Sequence, residues 1–417
     1  MGTEMGPEMG TGIGTEIETA IGTDMGTGIG AETGTAGGKW APIDPRRRES
    51  EKIAGKSATY FQNAAYQFTR RKTATASLAA VALLVLAAVF GPMASKGSYD
   101  AQNLSHVSAP PMLRTYEVDG RHYYITANVK LAEVSQRGEL METLPRARDD
   151  SANKRFEYDV GGKSLYIDYS APAPVLEDEA GNAVAAGRTF WNRLYPLGSD
   201  SLGRDIFTRL LYGARVSLAV AFIATLVNLV IGVLYGSVSG YAGGTLDIAM
   251  MRVVDIVSSI PLTLYVILIM VLFGNGGLSS IIIALGIVYW VSMARAVRGQ
   301  ILGLKGQDFV TAASTMGSSG WYILRKHLIP NAIGPITVTA TMQIPSAIFT
   351  EAFMSFIGLG VTAPMASWGT MCNDALETLK TAPYQLAFPA AAICATMFAF
   401  NFIGDGLRDA FDPHMRK

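Results

Sequence analysis

The sequence predicts an all-α polytopic membrane protein, with six transmembrane helices and a small β-rich insert between the first and second. Three observations carry this. Charged residues make up only 16% of the 417 positions and the mean hydropathy is positive, whereas soluble chains carry about 25% charge. Six mostly apolar runs approach the roughly 20 residues a helix needs to cross a bilayer core. The polar stretch 98–188 carries hairpin signals in place of helical periodicity.

Residues 1–45 form a low-complexity tail built on slipping tetrapeptides such as GTEM, GPEM and GTGI. Such a tract buries too little apolar surface to offset chain entropy, so disorder is expected. It has no basic n-region or continuous apolar h-region and is not read as a signal peptide; a misassigned start upstream of the true one is the alternative. Residues 46–73 turn basic and amphipathic, with Arg46, Arg47 and Arg48 and then Arg70, Arg71 and Lys72 directly before the first apolar run, 74–93. Positive residues beside a first span hold that side in the cytoplasm, so the N-terminus is expected inside.

In the insert, Asp119-Gly120 and Gly161-Gly162 each separate stretches rich in aromatic and β-branched residues, the pattern of two-residue hairpins. Residues 190–214 read as a turn and an amphipathic helix on the outer membrane surface. Five further spans follow at about 215–240, 248–273, 278–297, 333–358 and 385–404, with Pro261 expected to kink the second of them. Six crossings return the tail, 405–417, to the cytoplasm. Charge agrees with the count: Arg252, Arg295, Arg298, Lys305, Arg325, Lys326, Arg408, Arg416 and Lys417 fall inside, while the outer loop 359–384 holds only Lys380.

Enzymatic classes find no support. SEKIAGKS, Ser50 to Ser57, has serine where a phosphate loop needs its first glycine, and GGKS at Gly161 fails the same way with Glu157. The four histidines are scattered, no HExxH occurs, and Cys372 and Cys394 show no metal-ligand spacing and read as free thiols. No catalytic residue, metal or resident cofactor is expected.

The most informative segment is the connector 300–332, and within it DFVTAASTMGSSGWYILRKHLIPNAIGP, which runs on to Pro335. Asp308 or Thr311 could cap a short helix whose Ala312, Ala313 and Ser314 keep it slim. Gly317 and Gly320 permit a sharp bend, and WYILRKHLI is helical in spacing until Pro330, expected to stop it. A connector this long exceeds the usual roughly 4 to 6 residues. It reads as a docking element.

This loop resembles the EAA motif of permease subunits in ATP-binding-cassette importers: EAA, three residues, Gly, nine residues, then I-x-L-P. Ala312, Ala313, Gly317 and Pro330 match, while Thr311, His327 and Ile329 depart from the usual Glu, Ile and Leu. YPLGSDSLGRDIFTRLLYGARVSL, YAGGTLDIAMMRVVDIVSSIPLTL, ARAVRGQIL, KHLIPNA, EAFMSFIGLGV, SWGTM and GDGLRDAFDP are similar to the second permease of dipeptide and oligopeptide importers, a group that includes some nickel importers.

The resemblance implies the type I importer fold, a prokaryotic inner-membrane location, and a pore subunit working by alternating access. It implies four kinds of partner: a homologous second permease, two ATPases that use ATP and Mg, an extracytoplasmic substrate-binding protein, and the lipid bilayer. Asp308, Phe309, Thr311, Ala312, Ala313, Ser314, Met316, Gly317 and Ser318 would couple the pore to the ATPases. Peptide is the expected cargo; nickel or another small solute is the alternative within the same machinery. An ion-gradient-driven secondary transporter is a rival of another class, which calls for intramembrane charge pairs and inverted repeats. Glu351 is the one obvious mid-span carboxylate, fitting either a place on the translocation path or a cap on a neighbouring loop.

Overall fold

The computed structural model describes residues 60–94, 97–273 and 277–412. The low-complexity tail, the arginines at 46–48 and the SEKIAGKS string lie outside the described residues.

The chain enters through an amphipathic helix, α1 (Tyr60–Arg70), which buries Ala64 and Phe68. The apolar helix α2 (Lys72–Ala94) follows. Near its end Pro92 has no N–H to give the carbonyl of Ala88 four residues back. Arg215 supplies the missing donor, from Nε to the Ala88 carbonyl at 3.2 Å, and a terminal nitrogen of the same guanidinium donates to the Val89 carbonyl at 2.9 Å.

The insert is built from nine strands in two antiparallel sheets. One has the order β4 (Leu140–Thr143), β3 (Leu131–Val134), β2 (Arg121–Ile125), β1 (Met112–Val118), β9 (Ala186–Trp191); the other runs β5 (Arg148–Asp150), β6 (Arg155–Val160), β7 (Lys163–Asp168), β8 (Val175–Glu177). Both expected hairpins form. Val118 faces Arg121 across Asp119 and Gly120, at φ +53° and +74°, and Val160 faces Lys163 across Gly161 and Gly162, at φ +61° and +86°. Positive φ at both central residues is the type I′ geometry that matches strand twist. One core joins the sheets through Tyr123, Leu131, Tyr158, Leu165, Ile167 and Leu176.

The insert is fastened to the bundle by polar contacts around Ser199. Its backbone carbonyl accepts from Tyr384 Oη at 3.1 Å and from Gln385 Nε2 at 3.0 Å, while its hydroxyl donates to the His106 carbonyl at 2.5 Å and accepts from the Ala109 N–H at 2.8 Å.

The expected outer-surface helix over 190–214 is not a separate element. Residues 192–205 form turns, and α3 runs unbroken as Ile206–Ala242, capped by the Asp205 side chain, which accepts from the N–H groups of Phe207 and Thr208. With a cap at 205 and no breaker before 242, the segment read as a surface helix is the first turns of the span. Next come α4 (Gly244–Ser259) and α5 (Leu262–Phe273), bent by 81° at the break holding Pro261, then α6 (Leu278–Val288) and α7 (Trp290–Lys305).

Beyond α8 (Asp308–Thr315), a long rod begins with α9 (Gly320–Ile323), passes through a π-helical turn at Leu324–Leu328, and continues as α10 (Ile329–Phe356). Pro330 therefore does not end the helix. The wide turn, with the Ile329 N–H bonded to the Leu324 carbonyl five residues back, removes the usual i−4 partner that the proline ring would crowd. A short α11 (Trp368–Asp374) and the last span α12 (Tyr384–Phe411) complete the chain. Among the described residues five helical stretches are long and apolar enough to cross a membrane, six if the bent pair α4 and α5 counts as one.

The bundle closes around a glycine stripe. Gly232, Gly236 and Gly240 lie four apart on α3, where a Cβ would overlap Met293, the Ala294 carbonyl and the Arg298 carbonyl of α7. Small residues let two backbones approach when apolar lipid provides no hydrophobic drive for association. At the far end, α1 and the start of α2 lie against α12 through a Phe61–Phe411 edge contact from α1, an Arg71–Asp409 ion pair of 2.6 Å from the residue between the two helices, and Ala74 of α2 over Gly406.

Candidate functional site

The connector after α7 folds as helix, bend, helix. Neither Asp308 nor Thr311 caps α8: Gln307 is the N-cap residue and makes no side-chain cap bond. Asp308 instead occupies the first turn, where the helix dipole favours a carboxylate.

At the other end the Ser318 N–H bonds to the Ala313 carbonyl at 3.1 Å and the Gly317 N–H to that of Ser314 at 3.0 Å, with Gly317 at φ +80°. This is a Schellman ending, and glycine supplies its left-handed residue. Ser319 then caps α9 by accepting from the Tyr322 N–H at 3.3 Å.

Val310 and Ala313, three apart, are the buried side of α8, and they pack with Met293, Val297, Ile301, Ile323, Leu324 and Leu328. Of the expected small face, only Ala313 is used inward; Ala312 and Ser314 face out with Thr311. Gly320 packs against the Tyr241 ring, and Lys305 donates from Nζ to the Tyr241 carbonyl at 2.6 Å, which seats the pair on the end of α3.

The outer surface that results is apolar and aromatic: Phe309 is 39% exposed, Met316 79%, Trp321 59% and Tyr322 52%. Arg325 and Lys326 stand exposed beside it, and the His327 ring lies 5.8 Å from that of Tyr322. Trp321 and Tyr322 were not singled out in the sequence. They lie within WYILRKHLI, where a helical apolar pattern reads equally as core.

Glu351, the other residue singled out, sits elsewhere and is completely buried. Its carboxylate accepts from Ser217 Oγ of α3 at 2.7 Å and from Ser355 Oγ of α10 at 2.8 Å. The Ser355 oxygen in turn accepts from the Val361 N–H at 3.3 Å. These bonds tie α10 to α3 and, through Ser355, to the loop residue Val361.

Comparison with known proteins supplies the framework for this loop. The description "binding-protein-dependent transport system inner membrane component" matches residues 229–417, and "N-terminal TM domain of oligopeptide transport permease C" matches 59–111. The oligopeptide transport system permease protein OppC of Bacillus subtilis is 38% identical over 376 residues, covering 90% of this chain and 97% of that protein. The chain belongs to the binding-protein-dependent transport permeases. The dipeptide transport system permease protein DppC of Bacillus subtilis is 51% identical over 221 residues, which cover 53% of this permease and 69% of that one. Among solved structures, a chain of the MetNI methionine ABC transporter in an inward-facing conformation is 20% identical with a TM-score of 0.43, covering 49% of the permease and 96% of that chain.

The permease is thus a multi-pass inner-membrane protein, and it holds one more polar constellation that the sequence reading missed. Asp200 accepts from Arg204 at 2.7 Å and from Arg209 at 2.5 Å, and Asp374 accepts from each of the same two arginines at 3.0 Å. Arg204, Arg209 and Asp200 are buried. The network clamps the start of α3 to α11 at the insert end of the bundle. The four-residue spacing of Asp200 and Arg204 was a legible signal; the contact with Asp374, 170 residues away, was not.

Proposed function

We propose that this permease forms half of the translocation pore of an ATP-driven peptide importer and couples that pore to ATPase subunits through the loop Asp308–Ser318. The observation that carries the proposal is the bent pair α8 and α9. Its inner stripe is locked into the bundle core, while Phe309, Met316, Trp321 and Tyr322 form an exposed aromatic patch at one end of it. Exposed apolar surface of this kind marks a docking face. A rigid lever with a sticky outer face passes motion from a docked subunit into α7 and α10.

The partners are a homologous second permease, two ATPases that bind ATP and Mg, and an extracytoplasmic substrate-binding protein. The permease itself binds no cofactor and performs no catalysis. Both termini and the coupling loop lie in the cytoplasm, in line with Arg295, Arg298, Lys305, Arg325 and Lys326 gathering at that end; the β-rich insert faces outward. Peptide as cargo is supported by relatives named for oligopeptide and dipeptide transport.

The test is uptake into vesicles that hold the complete complex. ATP-dependent accumulation of di- and oligopeptides is expected. Failure of every peptide, with transport of a nickel chelate, would replace the cargo; uptake that needs an ion gradient and no ATP would replace the mechanism.

A further inference from the structure

The insert carries a cavity of about 350 Å³, lined by Glu117, Gly120, His122, Gln136, Arg188 and Phe190, within the size range of ligand sites. Its walls follow from strand register. Glu117 and His122 are direct partners across β1 and β2, so their side chains share one face. Between the pairs Arg114–Thr189 and Tyr116–Ala186 the register slips by one residue, so Gly187 and Arg188 of β9 stand opposite Thr115 alone. The bulge is pinned by Thr115 Oγ1, which donates to the Arg188 carbonyl at 2.7 Å. Bulges of this kind re-aim side chains, and this one brings Arg188 to the cavity.

Glu117, Gly120, Gln136 and Arg188 are solvent-exposed, and the feature that sets this space apart from a plain surface groove is the buried His122. His122 is only 8% exposed, its ring lies tilted against that of Phe190 with centroids 4.8 Å apart, and among the described residues its buried Nδ1 has no partner. Glu117 and Arg188 line the same space with opposite charge, yet among the described residues neither side chain is paired with the other or with any other group. The amide of Gln136 completes the polar wall.

We propose that this cavity binds the zwitterionic backbone of a short free-ended peptide or α-amino acid. The guanidinium of Arg188, a planar fork, takes the carboxylate; Glu117 takes the ammonium; His122 and Gln136 take the backbone amide groups between; and Phe190 offers a side chain an apolar wall. The ligand class follows from the wall chemistry, and it coincides with the cargo proposed above without depending on it.

The experiment uses the full chain in nanodiscs, titrated with alanine, dialanine and trialanine and with N-acetylated and C-amidated trialanine, with affinity read by calorimetry. A saturable site is expected. Glu117→Gln should weaken the free-ended ligand about tenfold and leave the acetylated one unchanged; Arg188→Gln should do the same with the amidated one as its indifferent partner. His122→Phe, which keeps the ring and loses the nitrogens, should also weaken binding. Tightest binding by alanine assigns the amino acid and by the longer ligands the peptide. Absence of saturable binding, or binding indifferent to both charge variants, overturns the site. Vesicle uptake is scored separately: peptide uptake without binding here overturns this inference alone, and binding here without peptide uptake overturns the cargo alone.

Discussion

At Gly317 a single backbone angle decides the shape of the coupling loop. A β-branched residue held at φ +80° costs about 1–2 kcal/mol, and no neighbour lies within 4 Å of a Cβ built there, so the effect of Gly317→Val is conformational and not a clash. It is expected to reduce ATP-driven uptake and hydrogen-exchange protection across Ala312–Ser318, while Thr311→Glu, on the exposed side of α8, leaves both unchanged. Equal behaviour of the two variants would count against shape as the loop's contribution. Glu351 calls for a different comparison. Replacing it with Leu strands the hydroxyls of Ser217 and Ser355 and should cost about 1–3 kcal/mol, read as a lower melting midpoint in detergent; Glu351→Gln keeps one acceptor and should cost less. Lost uptake at an unchanged midpoint would instead place the carboxylate on the path.

Among the elements, the contact of α3 with α7 depends on residue size at three glycines. Gly236→Leu inserts a branched side chain where the Ala294 carbonyl already sits. Overpacking typically costs about 1–3 kcal/mol and occasionally more, so protease resistance of the folded protein should fall sharply; a variant as resistant as wild type would show that the helices can separate freely. These elements were legible to different degrees. The hairpins were readable because Asp119-Gly120 and Gly161-Gly162 state their turn locally, and the spans because hydropathy needs no partner. The start of α3 at Ile206 was not, since its cap depends on Asp205 being held in a folded turn, and the passage through Pro330 was not, since a π-helical turn leaves no sequence mark. In the loop, the alanines and glycines signalled a bend, but which alanine turns inward depends on the packing of Met293 and Val297 beneath it.

For the molecule as a whole, the seam between insert and bundle is the place where pH should act. His106 is buried there: Nε2 faces the Met141 carbonyl at 3.0 Å, and Nδ1 faces Tyr195 Oη at 3.3 Å and the Asn103 side-chain nitrogen at 3.2 Å. A neutral ring that donates from Nε2 and accepts at Nδ1 satisfies all three. Burial pushes its pKa below the ordinary 6.5, outweighing the opposing pull of the Met141 carbonyl and of Glu142. Between the folded and unfolded values the unfolded chain holds the extra proton, so the stabilisation is complete above pH 6.5 and is lost as pH falls through that window. Asp150, Asp168 and Asp178 behave differently: hydrogen bonds from their own turns hold them below 3.8, so their contribution is complete above that value and fades only in stronger acid. The histidine window opens at 6.5, whereas the aspartate window opens only below 3.8. Hydrogen exchange across residues 98–111 and 192–204 should therefore quicken between pH 7.5 and 5.5, while the β6–β7 hairpin, the Arg155–Asp168 strand pair, stays protected. His106→Gln, which cannot titrate, should flatten that dependence. A seam equally protected at both pH values in the wild type, or a His106→Gln protein with the original slope, would remove this histidine as the group that joins insert to bundle through its charge state.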